Sequence, residues 1–335
     1  MKESVALVVT SIAKPNAVLR QLAEGCREHG HRFILIGDEP SPPDFMLEGC
    51  RFYGLAEQRE LRFEFARKCP TRHYARKNIG YLQAIREGAS VIVETDDDNI
   101  PYPEFWQPRS RSYGSVKTVA GHGWVNVYSY FSEANIWPRG LPLDSIKAEL
   151  PPFDSLQDRV VDCPIQQGLA DENPDVDAVY RLLLALPQAF RKDRRVALME
   201  GAWCPFNSQN TAWWADAFPL LYLPSHCSFR MTDIWRSFIA QRIAWTNGWG
   251  ILFHEPTVWQ ERNEHDLMRD FRDEVPGYLH NRAICEALDA LQLRPGVESI
   301  GENLQTCYEK MVGMGWIEKQ ELELVEAWLR DLGEP

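Results

Sequence analysis

The chain has 335 residues, 44% of them hydrophobic and 25% charged, which is enough for one large domain with an appendage or for two domains. Its 48 carboxylates outnumber 36 lysines and arginines, giving a formal net charge of -12; this excludes a phosphate-coating role on nucleic acid, though not a local basic pocket for one diphosphate. No apolar run is long enough to span a bilayer, and the eight cysteines are scattered without a CxxC pair, so buried free thiols in a reducing cytoplasm are expected instead of disulfides or a zinc cluster.

The first apolar run, Val5 to Val9, follows one lysine and one glutamate and leads into Thr10-Ser11 with no small-residue cleavage pattern, so it reads as a strand and not a signal peptide. Lys14 to His29 carries Val18, Leu22 and Cys26 at helical spacing, with Ala23 beside them. Phe33 to Ile36 is a second strand, ending in Gly37-Asp38-Glu39-Pro40. Ala75 to Glu87 reads as a helix stopped by Gly88, and Val91 to Val93 as a strand running into Glu94-Thr95-Asp96-Asp97-Asp98-Asn99. Residues 137 to 175 hold six prolines and are expected to form long ordered loops or a partly mobile segment. Asp177 to Leu186 and Ile234 to Ala244 resume helical spacing, and Ile251 to Phe253 is a late strand. After Pro276 the pattern changes to three helices, Asn281 to Leu291, Glu302 to Val312 and Lys319 to Leu332, the last with Leu322, Val325, Leu329 and Leu332 on one stripe. Alternating strands and helices predict an α/β fold, a mainly parallel sheet flanked by helices, over residues 1–275, with a helical C-terminal appendage over 276–335. A homo-oligomer through these last helices is the alternative use of their apolar stripe.

Three adjacent carboxylates at a strand end repel one another unless a cation sits between them. A hard divalent ion such as Mn2+ or Mg2+ removes that repulsion and binds phosphate oxygens at its open positions. The bland alternative for Asp96, Asp97 and Asp98 is a solvated turn. The preceding helix brings Arg76 and Lys77, cations suited to a diphosphate or simply a basic face, with Asn78 beside them.

The segment ARKNIGYLQAIREGASVIVETDDDN is similar to the signature of the STELLO-type glycosyltransferase family. Residues 125–143 (VNVYSYFSEANIWPRGLPL), 165–182 (IQQGLADENPDVDAVYRL) and 229–245 (FRMTDIWRSFIAQRIAW) extend the resemblance. The last two also resemble, more weakly, the reversibly glycosylated proteins that act as UDP-arabinopyranose mutases. The resemblance implies a GT-A-like fold, that of nucleotide-diphospho-sugar transferases, with the acceptor side built by the second half. Plant members of the family carry a membrane anchor ahead of this domain; this sequence shows none, so a cytoplasmic location is expected.

On that fold Thr10, Ser11, Asp38 and Glu39 stand where the nucleoside is held, although Gly-Asp-Glu-Pro is also a good turn. Asp171, Asp175 and Asp177 suit sugar hydroxyls; Asp175 and Asp177 also suit a helix cap. Trp137 and Arg139 suit sugar stacking and a phosphate clamp, or loop packing. Asp233, at a helix start, is the expected general base, with an N-cap role for it or for Thr232 as the rival. Arg236 is placed with the acceptor residues, and His254 is either a fourth metal ligand or a structural hydrogen-bonding group. The expected activity is metal-dependent transfer from a nucleotide-sugar to an unidentified glycan, lipid or small-molecule acceptor. A sugar-nucleotide mutase and a non-catalytic scaffold are the alternatives.

Overall fold

The two β-branched runs seen in the sequence become neighbouring parallel strands, β1 (Val5–Thr10) and β4 (Val91–Thr95), and every residue of β4 is buried. The computed structural model describes residues 3–261 and 266–333; the outermost residues of both expected domains, Met1, Lys2, Glu334 and Pro335, lie outside it. Between those strands come α1 (Ala17–His29), β2 (Arg32–Ile36), β3 (Arg51–Tyr53), α2 (Leu55–Glu60), α3 (Glu64–Lys68) and α4 (Lys77–Arg86). Then follow β5 (Asn99–Pro101), β6 (Ser112–Val119), β7 (Gly123–Trp124), β8 (Gln157–Asp162), β9 (Ile165–Asp171), α5 (Ala178–Leu183), β10 (Arg195–Leu198), β11 (Ala202–Trp203) and β12 (Asn210–Trp214). The C-terminal part holds α6 (Thr232–Thr246), β13 (Ile251–Gln260), α7 (Leu267–Asp289), α8 (Ile300–Gly313) and α9 (Glu321–Gly333).

The main sheet has the order β3-β2-β1-β4-β12-β9-β13-β10-β6-β8, with β5 on β13. Its first four strands are parallel, and their 3-2-1-4 order is that of a nucleotide-binding half-sheet. Beyond β4 the sheet is mixed, because β12 enters antiparallel to both β4 and β9.

Helix α1 starts where the Asn16 side chain accepts the Leu19 N–H and ends at Gly30, whose φ of 70° suits glycine. Its stripe of Val18, Leu19, Leu22 and Cys26 packs against Leu7, Val9 and Leu35 on one sheet face. Helix α4 covers the opposite face through Ile79 and Leu82, close enough that a Cβ on Gly80 would come within 2.6 Å of Val8 and 2.9 Å of Ile36. The sequence pattern located α1, α4, β1, β2 and β4 to within a few residues. It did not locate β8 or β9, which lie in the proline-rich stretch expected to be loop; β9 is buried at all seven positions.

The C-terminal helices form where expected, except that α7 starts at Leu267 and runs through Pro276. Helix α9 buries Leu324, Val325 and Trp328, each aliphatic side chain contributing about 1.5–3 kcal/mol. Asp331 accepts the Glu64 and Phe65 N–H groups at 2.9 and 2.7 Å, and so caps α3. Buried Glu321 accepts from Ser225 N–H at 3.1 Å, from His226 N–H at 2.7 Å and from the Tyr222 hydroxyl. All eight cysteines are free thiols. Among the described residues no helix is long and apolar enough to cross a membrane.

Candidate active site

The carboxyl ends of β1, β2 and β4 converge on one groove made of two joined cavities. One, of about 560 Å³, is lined by Thr10, Ser11, Gly37, Asp38, His73 and Arg76, among others. The other, of about 440 Å³, is lined by all three carboxylates of the triplet together with Arg139, Asp175, Asn207, Arg230 and Asp233. Thr10, Ile12, Tyr74, Asp97 and Phe229 line both, so the cavities meet beside Asp97.

Each triplet carboxylate has a different partner. Lys77, fully buried, reaches Asp96 at 2.9 Å and the Thr95 carbonyl at 3.0 Å. Asp97 accepts from the Ser11 hydroxyl, and its carbonyl accepts from the Asn16 side chain at 2.9 Å. Asp98 accepts from Gln260 Nε2 at 3.1 Å through both oxygens. Burial raises the pKa of all three, against the pull of Lys77 on Asp96 and of the Ser11 hydroxyl on Asp97. Burial, with Asp96 adding repulsion, pushes Asp98 up to about 7. Among the described residues no three His, Cys, Asp or Glu side chains form a ready-made metal cluster. The donor chemistry nevertheless fits a hard divalent ion: oxygen ligands only, charged forms disfavoured by burial, and room left for phosphate oxygens.

Across the cavity one arginine is shared by two carboxylates. Arg139 makes a two-bond fork to Asp175, 2.8 Å on each arm, and a second to Asp233 at 3.1 and 2.9 Å. Asn207 donates to Asp175 at 2.8 Å, and Ser208 N–H to Asp233 at 3.3 Å. Burial pushes Asp233 up, but Arg139, with Arg236 and Arg230 behind it, wins and holds the carboxyl well below the usual carboxylate range. Asp233 lies in the first turn of α6, and its own N–H donates to the Tyr74 hydroxyl at 3.1 Å. It makes no side-chain cap, and neither does Thr232.

Several expected residues are structural. Asp38 lines the first cavity and also accepts the His73 N–H at 2.9 Å, whereas Glu39 turns outward to Thr71 and to Arg72 at 2.6 Å. Arg76 lines the first cavity while its guanidinium is held by Gln58 and by the Cys69 carbonyl at 2.9 Å. Asn78 is buried on Leu223. Trp137 is buried, donates to Asp177 at 2.7 Å and packs edge-on against Tyr180, so it offers no sugar-stacking face. Asp177 caps α5 by accepting the Tyr180 N–H at 2.7 Å, and Asp171 accepts the Phe190 N–H at 2.9 Å. Arg236 is paired with Glu94 at 2.9 Å in the core, against Trp213. His254 faces the Glu255 carbonyl at 2.9 Å and is six residues along β13 from Gln260, the residue that reaches Asp98. A bulge between His254 and Val258, where β9 advances two residues and β13 four, shortens that path, but His254 lines neither cavity.

No pattern in the sequence singles out His73, Tyr74 or Phe229. His73 and Tyr74 stack at 5.6 Å between ring centroids, and Phe229 meets both edge-on at 5.2 and 5.0 Å. Phe229 is 47% exposed and Ile12 55%, an apolar pair on the shared wall of the two cavities.

Residues 230–334 match the family model of STELLO glycosyltransferases. Over 97% of its length the chain is 28% identical to the protein of Arabidopsis thaliana described as "Probable glycosyltransferase STELLO2". The chain is similar to the STELLO glycosyltransferases. "Probable glycosyltransferase STELLO1" of the same plant is also 28% identical over 97% of the chain. The chain spans less than half the length of these STELLO relatives, 44% of each. The STELLO model begins at Arg230, on the cavity wall, and takes in α6, β13 and the three C-terminal helices. Among solved structures, glucosyl-3-phosphoglycerate synthase of Mycobacterium tuberculosis, with phosphoglyceric acid, aligns over 84% of this chain and 81% of its own at 12% identity and a TM-score of 0.40. A structure described as a mycobacterial protein aligns over 84% and 76% at 11% identity and a TM-score of 0.42.

Proposed function

We propose that this chain is a glycosyltransferase of GT-A type that takes a nucleotide-sugar donor and uses Mn2+ or Mg2+. The observation that carries the reading is the pair of joined cavities at the carboxyl ends of β1, β2 and β4, meeting at Asp97. The Asp38 cavity, walled by His73, Tyr74 and Phe229, suits a nucleoside. The acidic triplet then lies under the diphosphate, and the Arg139–Asp175–Asp233 side faces the sugar and its acceptor. Carboxylates of the triplet hold the metal, which when bound neutralises charge on the leaving diphosphate. Lys77 supports the same end by holding Asp96 in place.

Asp233 keeps its place in this reading as the carboxylate for the acceptor hydroxyl. Arg139 keeps it ionised, so its lone pairs are available to orient that hydroxyl, yet makes it a weaker proton acceptor than a free carboxylate. Asp233→Asn therefore separates roles. Turnover reduced by about 10² or more with donor affinity kept supports proton acceptance; a loss of tenfold or less supports orientation alone. The class of activity is tested by incubating the protein with Mn2+ and a panel of nucleotide-sugars, followed by mass spectrometry. Transfer or slow donor hydrolysis is expected. Ring-isomerised donor alone would make the chain a mutase, and metal-dependent binding with no turnover a scaffold.

A further inference from the structure

The segment RLLLALPQAFRKDRR, residues 181–195, runs against the character of the rest of the chain. It carries five cations and one carboxylate, a net +4 within a chain of net -12. Leu182, Leu183 and Leu184 at the end of α5 are 44%, 74% and 36% exposed. None of the three lines a cavity described above. The structure holds them out: Glu172 and Gln188 exchange backbone bonds at 2.7 and 3.1 Å, Phe190 is buried, and Arg191 N–H donates to the Phe131 carbonyl at 2.8 Å. Of the segment's cations, Arg195 is paired with Glu255 at 2.9 Å; the exposed pair next to the buried Phe190 is held more loosely. Arg191 has only the highly exposed Glu133, at 3.8 Å. Lys192 lies over the Tyr102 ring at 4.0 Å.

We propose that this edge docks the protein on an anionic lipid surface. Protruding leucines need an apolar medium and the neighbouring cations need anions, and a lipid interface supplies both in one plane without a complementary groove. The charge sign is what selects such a surface, since the rest of the chain is repelled by it. Helix α5 begins three residues after Asp175, so the docked edge adjoins the cleft wall. The proposal does not depend on the reading of the cleft.

The test is co-sedimentation of the full chain with phosphatidylcholine vesicles, pure or with about a third phosphatidylserine. Binding is expected to the anionic vesicles, weakened by salt. The double variants Leu182→Ser/Leu183→Ser and Arg191→Glu/Lys192→Glu should each weaken it by roughly tenfold or more. All four positions are exposed, and an unchanged thermal midpoint confirms that the fold is kept. No vesicle binding, or binding that both variants retain, overturns the proposal. Binding to polyglutamate but not to vesicles overturns it in favour of an acidic polypeptide. A serine variant that changes only the sedimentation coefficient overturns it in favour of a second copy of the chain.

Discussion

The two walls of the cleft handle charge in opposite ways. On the β4 side, burial lifts the pKa of Asp96, Asp97 and Asp98, with Lys77 as the cation in contact. On the α6 side, Arg139 is forked between Asp175 and Asp233, and Asp233 is held low. A wall whose carboxylates are all pushed up by burial gains most from an incoming cation. On the other wall a cation is already in contact with both carboxylates, and those ion pairs fix geometry.

The largest effect should come from breaking the ion-paired wall. Arg139→Ala leaves Asp175 and Asp233 buried without their cation, which should cost about 3–5 kcal/mol of stability. Chemical denaturation would show it, and a loss under 1 kcal/mol would mean that the pairing is not what holds this wall. On the other wall the prediction reverses. Asp98→Asn removes a disfavoured charge, so the thermal midpoint should hold or rise, while turnover falls by about 10² to 10³. Calorimetric titration of a nucleoside diphosphate with Mn2+ and with EDTA should show metal-dependent binding in the parent and little in the variant. Equal affinity in EDTA for the parent protein would remove the metal from the reading.

Asp177 allows the same contrast to be sharpened with pH. Burial raises its pKa to about 6, against the Tyr180 N–H and Trp137 bonds that favour the charge, while the unfolded value is about 3.9. The folded state therefore binds more protons between these values, and this residue makes stability fall as pH rises through that window, by at most about 3 kcal/mol. Asp177→Asn keeps a capping oxygen and should flatten that part of the pH–stability curve. A smaller effect is expected at Glu321. Glu321→Gln weakens the grip on Ser225 and His226, costing about 1–2 kcal/mol. Because that loop leads to Phe229, donor KM should rise more than kcat falls; no change in KM would limit Glu321 to stability.

What the sequence revealed follows the range of the interactions. Strand β1, helix α1 and strand β4 with its triplet are local patterns of period 2 or 3.6, and they were legible. So was the convergence of Thr10, Ser11, Asp38 and Asp96, since strand ends in a parallel sheet share one edge. Partners far apart in the chain were not legible. Arg236 meets Glu94 across 142 positions, and Arg139 meets Asp233 across 94. A basic residue in an acceptor-side motif looks the same in sequence whether it faces a ligand or a buried glutamate. Trp137 and Asp177 were each singled out for a sugar, yet they satisfy one another. Strand β9 was hidden because two glutamines and a glycine interrupt its apolar pattern while all seven positions are buried.

Helix α9 has a consequence for how the molecule is made. Asp331 caps a helix 266 positions earlier, and Glu321 anchors the loop that leads to Phe229. At a translation speed of about 5–20 residues per second, the half-sheet strands are available to pair long before α9 leaves the ribosome. Until then α3 has an open end and the groove an untethered wall. A ribosome that stalls upstream of α9 releases a chain that has the residues lining both cavities but lacks the helix that ties one wall down.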